Sequence, residues 1–143
     1  MINPKYPVYI VSKGRAKTGG TRKSLDRMGV PYKIAVEPQD YDDYAAEVGE
    51  SKLLVLPFSN HGDGPGRARN WCWDHAISIG AEKHWVMDDN IADFYRWHKN
   101  KRIRVGSGVI FKAAEDFIDR FENVPISGFQ YRFFISPNDY KKP

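Results

Sequence analysis

"HWVMDDN" (residues 84–90) begins as an apolar run and ends on two carboxylates and an amide. A short apolar run with aromatic and β-branched side chains predicts a buried strand, and the polar residues mark its end. The same order of apolar and then polar residues recurs in VYIVSKGR (8–15) and YKIAVEP (32–38). Two further apolar runs, KLLVLPF (52–58) and ISGFQYRFFIS (126–136), predict a third and a last strand.

Segments with helical periodicity separate these strands. TRKSLDRMGV (21–30) has Thr21 as a predicted cap and Gly29 as a predicted stop. The later segments QDYDDYAAEVGE, RARNWCWDHAISIG and FKAAEDFIDRFE each place apolar residues on one face: Tyr41, Tyr44, Ala45 and Val48; Ala68, Trp71, Cys72, Ala76 and Ile79; Ala114, Phe117, Ile118 and Phe121. Alternating strands and helices are typical of βαβ units, so the predicted fold class is α/β, a mainly parallel sheet with flanking helices. We expect one domain over residues 1–143.

The bulk composition limits the function classes. A length of 143 residues is enough for one core, and a formal net charge of +4 is mildly basic, which is compatible with polyanion binding without establishing it. The one cysteine excludes an internal disulfide and favours a reducing compartment. The N-terminus lacks a signal-peptide pattern, and no apolar stretch approaches membrane-spanning length, so a cytoplasmic protein without membrane contact is expected.

Residue spacing argues against several common sites. GRAKTGGT (14–21) has nearly the spacing of a phosphate-binding P-loop, but Gly20 stands where that loop requires lysine. GDGPGRARN (62–70) has Arg69 where the dinucleotide fingerprint requires glycine or alanine. The histidines show no zinc-type spacing with Cys72, which lies on an apolar helix stripe and is predicted to be a core residue.

The second glycine-rich loop nevertheless precedes a predicted helix start and carries Arg67, Arg69 and Asn70. A helix N-terminus with free backbone N–H groups and nearby guanidinium groups suits a diphosphate. The alternative is that these arginines are solvated or pair with Asp63 and Asp74.

The strand end at Asp88, Asp89 and Asn90 offers hard oxygen ligands. Such ligands suit Mg²⁺ or Mn²⁺, which would share its coordination with phosphate oxygens. Side chains alternate along an extended segment, so Asp88 and Asn90 are predicted to face one way and Asp89 the other. The alternative is a strand end that uses these residues for turn formation and helix capping.

Two further features have a functional and an ordinary interpretation. Glu37, at the end of the second strand, is placed to accept hydrogen bonds from a ribose or a base edge, or is a plain exposed carboxylate. FYRWHKNKRIR (94–104) mixes aromatic and basic side chains, as in nucleic-acid-binding surfaces and also in ordinary basic loops. Its basic residues, which are the candidate nucleic-acid contacts, are Arg96, Lys99, Lys101, Arg102 and Arg104.

Taken together, VYIVSKGR, YKIAVEP, GPGRARNW and WVMDDN resemble the glycosyltransferase A-type (GT-A) fold. More narrowly, their order and spacing are similar to those of the TET-associated glycosyltransferases, a family found largely in phages. The resemblance implies a metal-assisted transfer of a sugar from a UDP-sugar. The implied acceptor is a hydroxymethylated pyrimidine in DNA, such as hydroxymethylcytosine, and the implied location of a phage-encoded enzyme is the host cytoplasm.

The resemblance also implies roles for the residues that follow the first two strands. Val11, Ser12 and Arg15 match the end of the first strand, where the family fold holds the nucleoside. Glu37 matches the acidic position of the second strand that contacts the base or the ribose.

The remaining implied roles concern the sugar diphosphate. Gly66, Arg67 and Asn70 match a donor-contacting segment. Residues 88–90 match the D-x-D region, where the ribose, the diphosphate and a Mn²⁺ or Mg²⁺ ion meet, with Asp88 and Asp89 as implied donor contacts and Asp88, Asp89 and Asn90 as implied metal ligands. Asparagine at the third position removes one charge, which lowers the affinity for a metal ion.

The sequence does not select a catalytic base, although Asp93, His98 and Asp139 are available. The chain is therefore expected to be a minimal enzyme, a truncated one, or a donor-binding domain that requires a partner. The competing functions are a non-catalytic module that binds nucleotide sugar or DNA, and a nucleotidyltransferase, which releases pyrophosphate where a glycosyltransferase releases a nucleoside diphosphate.

Overall fold

In the part of the chain that the structure describes, four short parallel strands form the central sheet. A computed structural model describes residues 2–131 and places β1 at Val8–Val11, β2 at Lys33–Val36, β3 at Leu53–Val55 and β4 at Trp85–Asp88. The helices are α1 at Gly20–Met28, α2 at Tyr41–Val48, α3 at Gly66–Ser78 and α4 at Val109–Ile118. The predicted α/β class with a parallel sheet and flanking helices is confirmed.

All four strands run parallel, and in the order β3-β2-β1-β4 the direction in which successive strands are added to the sheet reverses once, between β1 and β4. From β1 to β3 the chain adds strands on one side, and it then returns across the sheet so that β4 pairs with β1. Ligands of parallel α/β sheets bind beyond the carboxyl ends of the strands at such a reversal. Ser12 directly follows β1 and Asp88 ends β4, so both residues lie at this point.

The two faces of the sheet are covered unequally. One face packs against α1, α2 and Phe111 of α4 in the larger core. Among residues 2–131, the other face packs against one helix, α3, through Ala68, Cys72 and Ala76. Cys72 is fully buried and burial raises the pKa of its thiol to about 12, which confirms the interpretation of this residue as part of the core.

The predicted apolar stripes hold for α2 but fail at the ends of α3 and α4. Ile79 lies beyond the last residue of α3 and is 57% exposed. In α4 the buried residues are Phe111 and Glu115, whereas Phe117 and Phe121 are exposed and contact each other. The predicted stripe of α4 was wrong because it left Glu115 on the solvent-facing side. The Glu115 carboxylate is instead buried, where it accepts three hydrogen bonds.

Glu115 ties the N-terminal segment and β4 to α4. Its carboxylate accepts hydrogen bonds from the backbone N–H of Lys5 at 2.7 Å and of Tyr6 at 3.2 Å, and from the Trp85 indole N–H at 2.8 Å. Buried donors that lose a charged acceptor cost free energy because they have given up their water.

We expect Glu115→Ala to lower the free energy of unfolding by about 3 kcal/mol, because three donors lose their acceptor in a dry site. Urea denaturation followed by circular dichroism measures the change. Asp116→Ala removes an exposed carboxylate one position along the same helix and should change stability by less than about 0.5 kcal/mol. Equal effects of the two variants would contradict the assigned role of Glu115.

A basic hairpin follows β4, and the sequence did not predict it. The strands β5 (Tyr95–His98) and β6 (Lys101–Arg104) pair antiparallel around a two-residue turn. Lys99 and Asn100 in this turn have positive φ angles of 46° and 58°. Lysine at such a position is uncommon, so the turn signal that asparagine-glycine would have provided is weak here.

Three smaller predictions have different outcomes. The helix α1 begins at Gly20 without a side-chain cap, so Thr21 is not the cap, whereas Gly29 ends the helix in the left-handed conformation as predicted. Residues 126–131 contain no strand, and residues 132–136 of the predicted last strand lie outside the described residues. Among residues 2–131, no helix has the length and apolarity needed to cross a membrane.

Candidate active site

Asp89 organises the loop that follows β1. Its Oδ2 atom accepts a hydrogen bond from the Ser12 hydroxyl at 2.6 Å, and its Oδ1 atom accepts one from Arg15 Nη1 at 2.9 Å. Tyr44 of α2 completes the network, because its hydroxyl lies 2.5 Å from Ser12 Oγ and accepts the Arg15 backbone N–H at 3.0 Å. Both oxygens of the buried Asp89 carboxylate are therefore occupied by residues of the protein itself.

Asp88 points to the opposite face of β4, as the alternation of side chains predicted. Its Oδ1 atom forms an ion pair with Arg69 in the first turns of α3. The Asp88 side chain is 40% exposed, and its Oδ2 atom has no partner among residues 2–131. Asn90 is also exposed. Asp88 thus presents an open carboxylate oxygen beside a guanidinium group.

Glu37 has a similar arrangement beyond the end of β2. Its Oε2 atom accepts from Lys13 Nζ at 3.0 Å, from the Gln39 amide at 2.5 Å and from the Asn60 backbone N–H at 2.9 Å. Burial alone would raise the pKa of Glu37, but these hydrogen bonds and the Lys13 charge lower it below its ordinary value. Glu37 is therefore ionised at neutral pH, and its Oε1 atom has no partner among the described residues.

The backbone of residues 88–91 is clamped by α1. Thr21 is fully buried, and its hydroxyl donates to the Asp88 carbonyl oxygen at 2.5 Å and accepts from the Ile91 N–H at 2.9 Å. The Thr21 N–H donates to the Asp89 carbonyl oxygen at 3.1 Å. A Cβ atom added at Gly20 would lie 3.0 Å from the Ile91 carbonyl oxygen, so glycine allows this close approach.

A cavity of about 230 Å³ lies beside this network. It is bounded by the loop of residues 14–18 and by Asp40, Asp43 and Tyr44 at the start of α2. Of the residues predicted to contact a nucleoside, Arg15 lines this cavity. Ser12 and Glu37 lie one contact away from it: the Ser12 hydroxyl contacts that of Tyr44, and the Glu37 carbonyl oxygen accepts from the Asp40 N–H. Val11 is the half-buried last residue of β1.

Arg67 and Arg69 both lie in the first turns of α3 but have different partners. The resemblance implied a donor contact for Arg67 and none for Arg69. Arg67 pairs with Asp63 at 2.9 Å and lies over the Phe58 ring, which is the alternative that the sequence left open. Arg69, two residues later on another side of the helix, reaches Asp88. Gly66 begins α3 and Asn70 is exposed in its first turns, but no described contact joins either residue to the carboxylates.

A model of the TET-associated glycosyltransferases matches residues 6–143. The chain belongs to this family. The predicted resemblance is confirmed, and membership of the TET-associated glycosyltransferases supports glycosyltransferase activity. No curated protein and no solved structure matches the sequence.

The metal ion expected for this TET-associated glycosyltransferase stays a prediction, which the residues of the site can be compared with. Among residues 2–131, no three acidic, histidine or cysteine side chains converge into a metal-binding group. Asp89 is engaged with Ser12 and Arg15, whereas Asp88 keeps one open oxygen beside Asn90. Such a donor set suits an ion that takes most of its ligands from phosphate and water, as Mg²⁺ does.

The candidate bases of the TET-associated glycosyltransferase occupy different positions. Burial alone would raise the pKa of Asp93, but hydrogen bonds from the Phe94 N–H, Arg104 and Arg27 lower it, so Asp93 is a poor proton acceptor. His98 lies on the exposed hairpin and Asp139 lies outside the described residues. The predicted nucleic-acid contacts, Arg96, Lys99, Lys101, Arg102 and Arg104, all lie on the β5–β6 hairpin.

Proposed function

We propose that this enzyme transfers a sugar from a UDP-sugar to a hydroxymethylated pyrimidine in DNA. The observation that carries the proposal is the set of carboxylate–cation pairs at the carboxyl ends of the parallel strands: Asp88 with Arg69, Asp89 with Arg15, and Glu37 with Lys13. A nucleoside diphosphate presents both hydroxyl donors and negative charge, and this edge offers partners for both. Family membership supports the transfer of a sugar.

The nucleoside is proposed to occupy the cavity between the 14–18 loop and α2. Glu37 keeps Oε1 available to a ribose hydroxyl or a base N–H, because its other oxygen holds the surrounding protein groups. Arg15 and Ser12 are held in place by Asp89, so the wall of the site does not have to be ordered when the donor binds.

The diphosphate is proposed to bind between Arg69 and Asp88. Arg69 is exposed and bound only to Asp88 among the described residues, so its guanidinium can turn to the phosphates as a two-pronged donor. A Mn²⁺ or Mg²⁺ ion would be held by Asp88 and Asn90 together with phosphate oxygens. When bound, it would neutralise the charge that develops on the leaving diphosphate.

The acceptor reaction follows from the chemistry of the two substrates. The hydroxymethyl oxygen forms a bond to the anomeric carbon of the sugar while the bond from that carbon to the diphosphate oxygen breaks. The hydroxymethyl proton leaves to a base, and UDP is released. The exposed basic hairpin is proposed to hold the DNA strand near this centre by contacts to its phosphates.

Two linked measurements test the proposal. Calorimetric titration of UDP-glucose and UDP-N-acetylglucosamine with Mn²⁺, and again with EDTA, should show saturable binding that Mn²⁺ strengthens. Incubation with hydroxymethylcytosine DNA and each donor should release UDP, and digestion of the DNA should yield a glycosylated nucleoside by mass spectrometry. The absence of donor binding in both conditions would overturn the donor site, and pyrophosphate release from UTP would support a nucleotidyltransferase instead.

A further inference from the structure

The β5–β6 hairpin is fixed to the domain at its base. Phe94 and Val105 flank the hairpin, are buried in the larger core, and are joined by a backbone hydrogen bond of 3.0 Å. The Asp93 carboxylate, 7% exposed, accepts from Arg27 at 2.5 Å and pairs with Arg104. The base of the hairpin therefore has a defined position relative to β4.

Beyond this base the hairpin is exposed along both of its strands. All residues of β5 and β6 are exposed, including Tyr95 at 43% and Trp97 at 44%. A two-stranded hairpin is marginally stable by itself, and large aromatic side chains on such an element are typical of a contact surface.

The strand register sorts the hairpin residues into two different faces. Residues directly opposite each other in an antiparallel pair share a face, and successive residues alternate. The pairs Tyr95–Arg104 and Trp97–Arg102 therefore form one face, called here the aromatic face. The opposite face is formed by Arg96, His98, Lys101 and Ile103.

The aromatic face already displays one stacked cation. The Arg102 guanidinium carbon lies 4.3 Å from the centroid of the Tyr95 ring. Trp97 is directly opposite Arg102 in the register, so two rings and a planar guanidinium lie next to one another on this face. Flat groups of this kind stack on nucleobases whatever the base sequence.

The hairpin is positively charged, as a surface that binds a polyanion requires. Residues 95–104 contain five lysines and arginines and no acidic residue. Among residues 2–131, Arg104 is the only one of these five that forms an ion pair, and its partner Asp93 is shared with Arg27. The other four cations are therefore available to phosphates.

Stacking on protein side chains requires a base whose face is open. In a duplex each base is covered by its neighbours, so an aromatic face selects unpaired or extruded bases, whereas a purely basic surface binds duplex as well. Asn90 precedes Tyr95 by five residues, so the two Cα atoms lie at most about 18 Å apart. A strand bound here is close to the carboxylates.

We infer that the aromatic face formed by Tyr95, Trp97 and Arg102 is a binding site for unpaired bases of the DNA acceptor strand. The choice of DNA as the occupant rests on the proposed function, while the preference for unpaired bases follows from the geometry of the hairpin. The site holds the strand by stacking, and Lys99 in the turn adds a contact to phosphate.

Fluorescence anisotropy with a labelled oligothymidylate of about 12 nucleotides tests this site. Trp97→Ala should weaken binding about tenfold, whereas Ile103→Ala, which removes an exposed apolar side chain from the opposite face, should change it less than about twofold. Arg102→Gln and Arg96→Gln form a second matched pair with equal loss of charge, and Arg102→Gln should have the larger effect. Thermal unfolding midpoints identify any variant whose fold has changed.

The inference would be overturned if substitutions on the two faces lowered oligothymidylate affinity equally. Tighter binding of a blunt duplex, or of an oligouridylate, than of oligothymidylate would overturn it as well. The absence of oligothymidylate binding to the unaltered protein would also overturn it. Titration of UDP-glucose into the same variants separates this site from the donor site, because Trp97→Ala should keep the unaltered donor affinity. Oligothymidylate binding that depends on Trp97, in a protein that binds no UDP-sugar, would support the hairpin site and reject the proposed donor site.

Discussion

Arg69→Gln is expected to weaken UDP-sugar binding by about tenfold to hundredfold, the cost of losing one charge-assisted contact to phosphate. Arg69 is the guanidinium that reaches the end of β4, where it pairs with the exposed Asp88. In the proposed complex this guanidinium binds the diphosphate. Calorimetry with UDP-glucose at constant ionic strength measures the change.

The chain offers a close control for this experiment two residues earlier. Arg67→Gln removes the same charge from the same helix, but Arg67 is paired with Asp63 and stacked over Phe58. It should leave donor affinity within about threefold of the original value, the effect of a distant surface charge. An equal loss of donor affinity in both variants would show that Arg69 acts only by general electrostatic attraction and would contradict its proposed direct contact with the diphosphate. Arg69→Lys should recover only part of the affinity, since lysine lacks the planar fork.

Asp88→Asn is expected to lower the rate of sugar transfer by about a hundredfold to a thousandfold, as when a preorganised electrostatic group is removed from an active site. Asp88 is the exposed carboxylate with an open oxygen at the strand reversal, and asparagine keeps its size without its charge. The increase in donor affinity with Mn²⁺ should disappear. Release of UDP in the presence of hydroxymethylcytosine DNA measures the rate.

A binding measurement without metal distinguishes this role of Asp88 from simple damage. In EDTA, Asp88→Asn should bind UDP at least as tightly as the unaltered protein, because Arg69 no longer has a competing carboxylate. Asp63→Asn frees Arg67 in the same way and should change neither metal dependence nor rate. Weaker UDP binding by Asp88→Asn in EDTA would show that the carboxylate contacts the nucleotide directly and would contradict the proposed metal role.

The parallel sheet and the edge that carries the site could be predicted because their signals are local. Each strand is a short apolar run that ends at a polar residue, and each glycine or proline stop lies within a few residues of the element it ends. The opposite directions of Asp88 and Asp89 follow from the same local rule of alternation. These features do not depend on which distant segments come together.

The features that the sequence missed depend on distant contacts. Nothing in the spacing of Arg67 and Arg69 indicates which one reaches β4, since both belong to the first turns of one helix. Glu115 looks like a solvent-facing carboxylate until its donors, Lys5, Tyr6 and Trp85, are brought to it from elsewhere in the chain. The hairpin turn at Lys99 and Asn100 is also set by strand pairing more than by turn-forming residue types.

The backbone at the end of β4 is held by Thr21, whereas the groups proposed to contact the donor are the side chains of that segment. Thr21 holds the backbone at Asp88, Asp89 and Ile91, so the position of that segment does not depend on which side chains residues 88 and 89 carry. Substitutions there can change charge or ligand type while the chain path stays the same. Related proteins can therefore differ in donor preference or metal requirement through a few side-chain changes at this edge, while the backbone of the sheet stays the same.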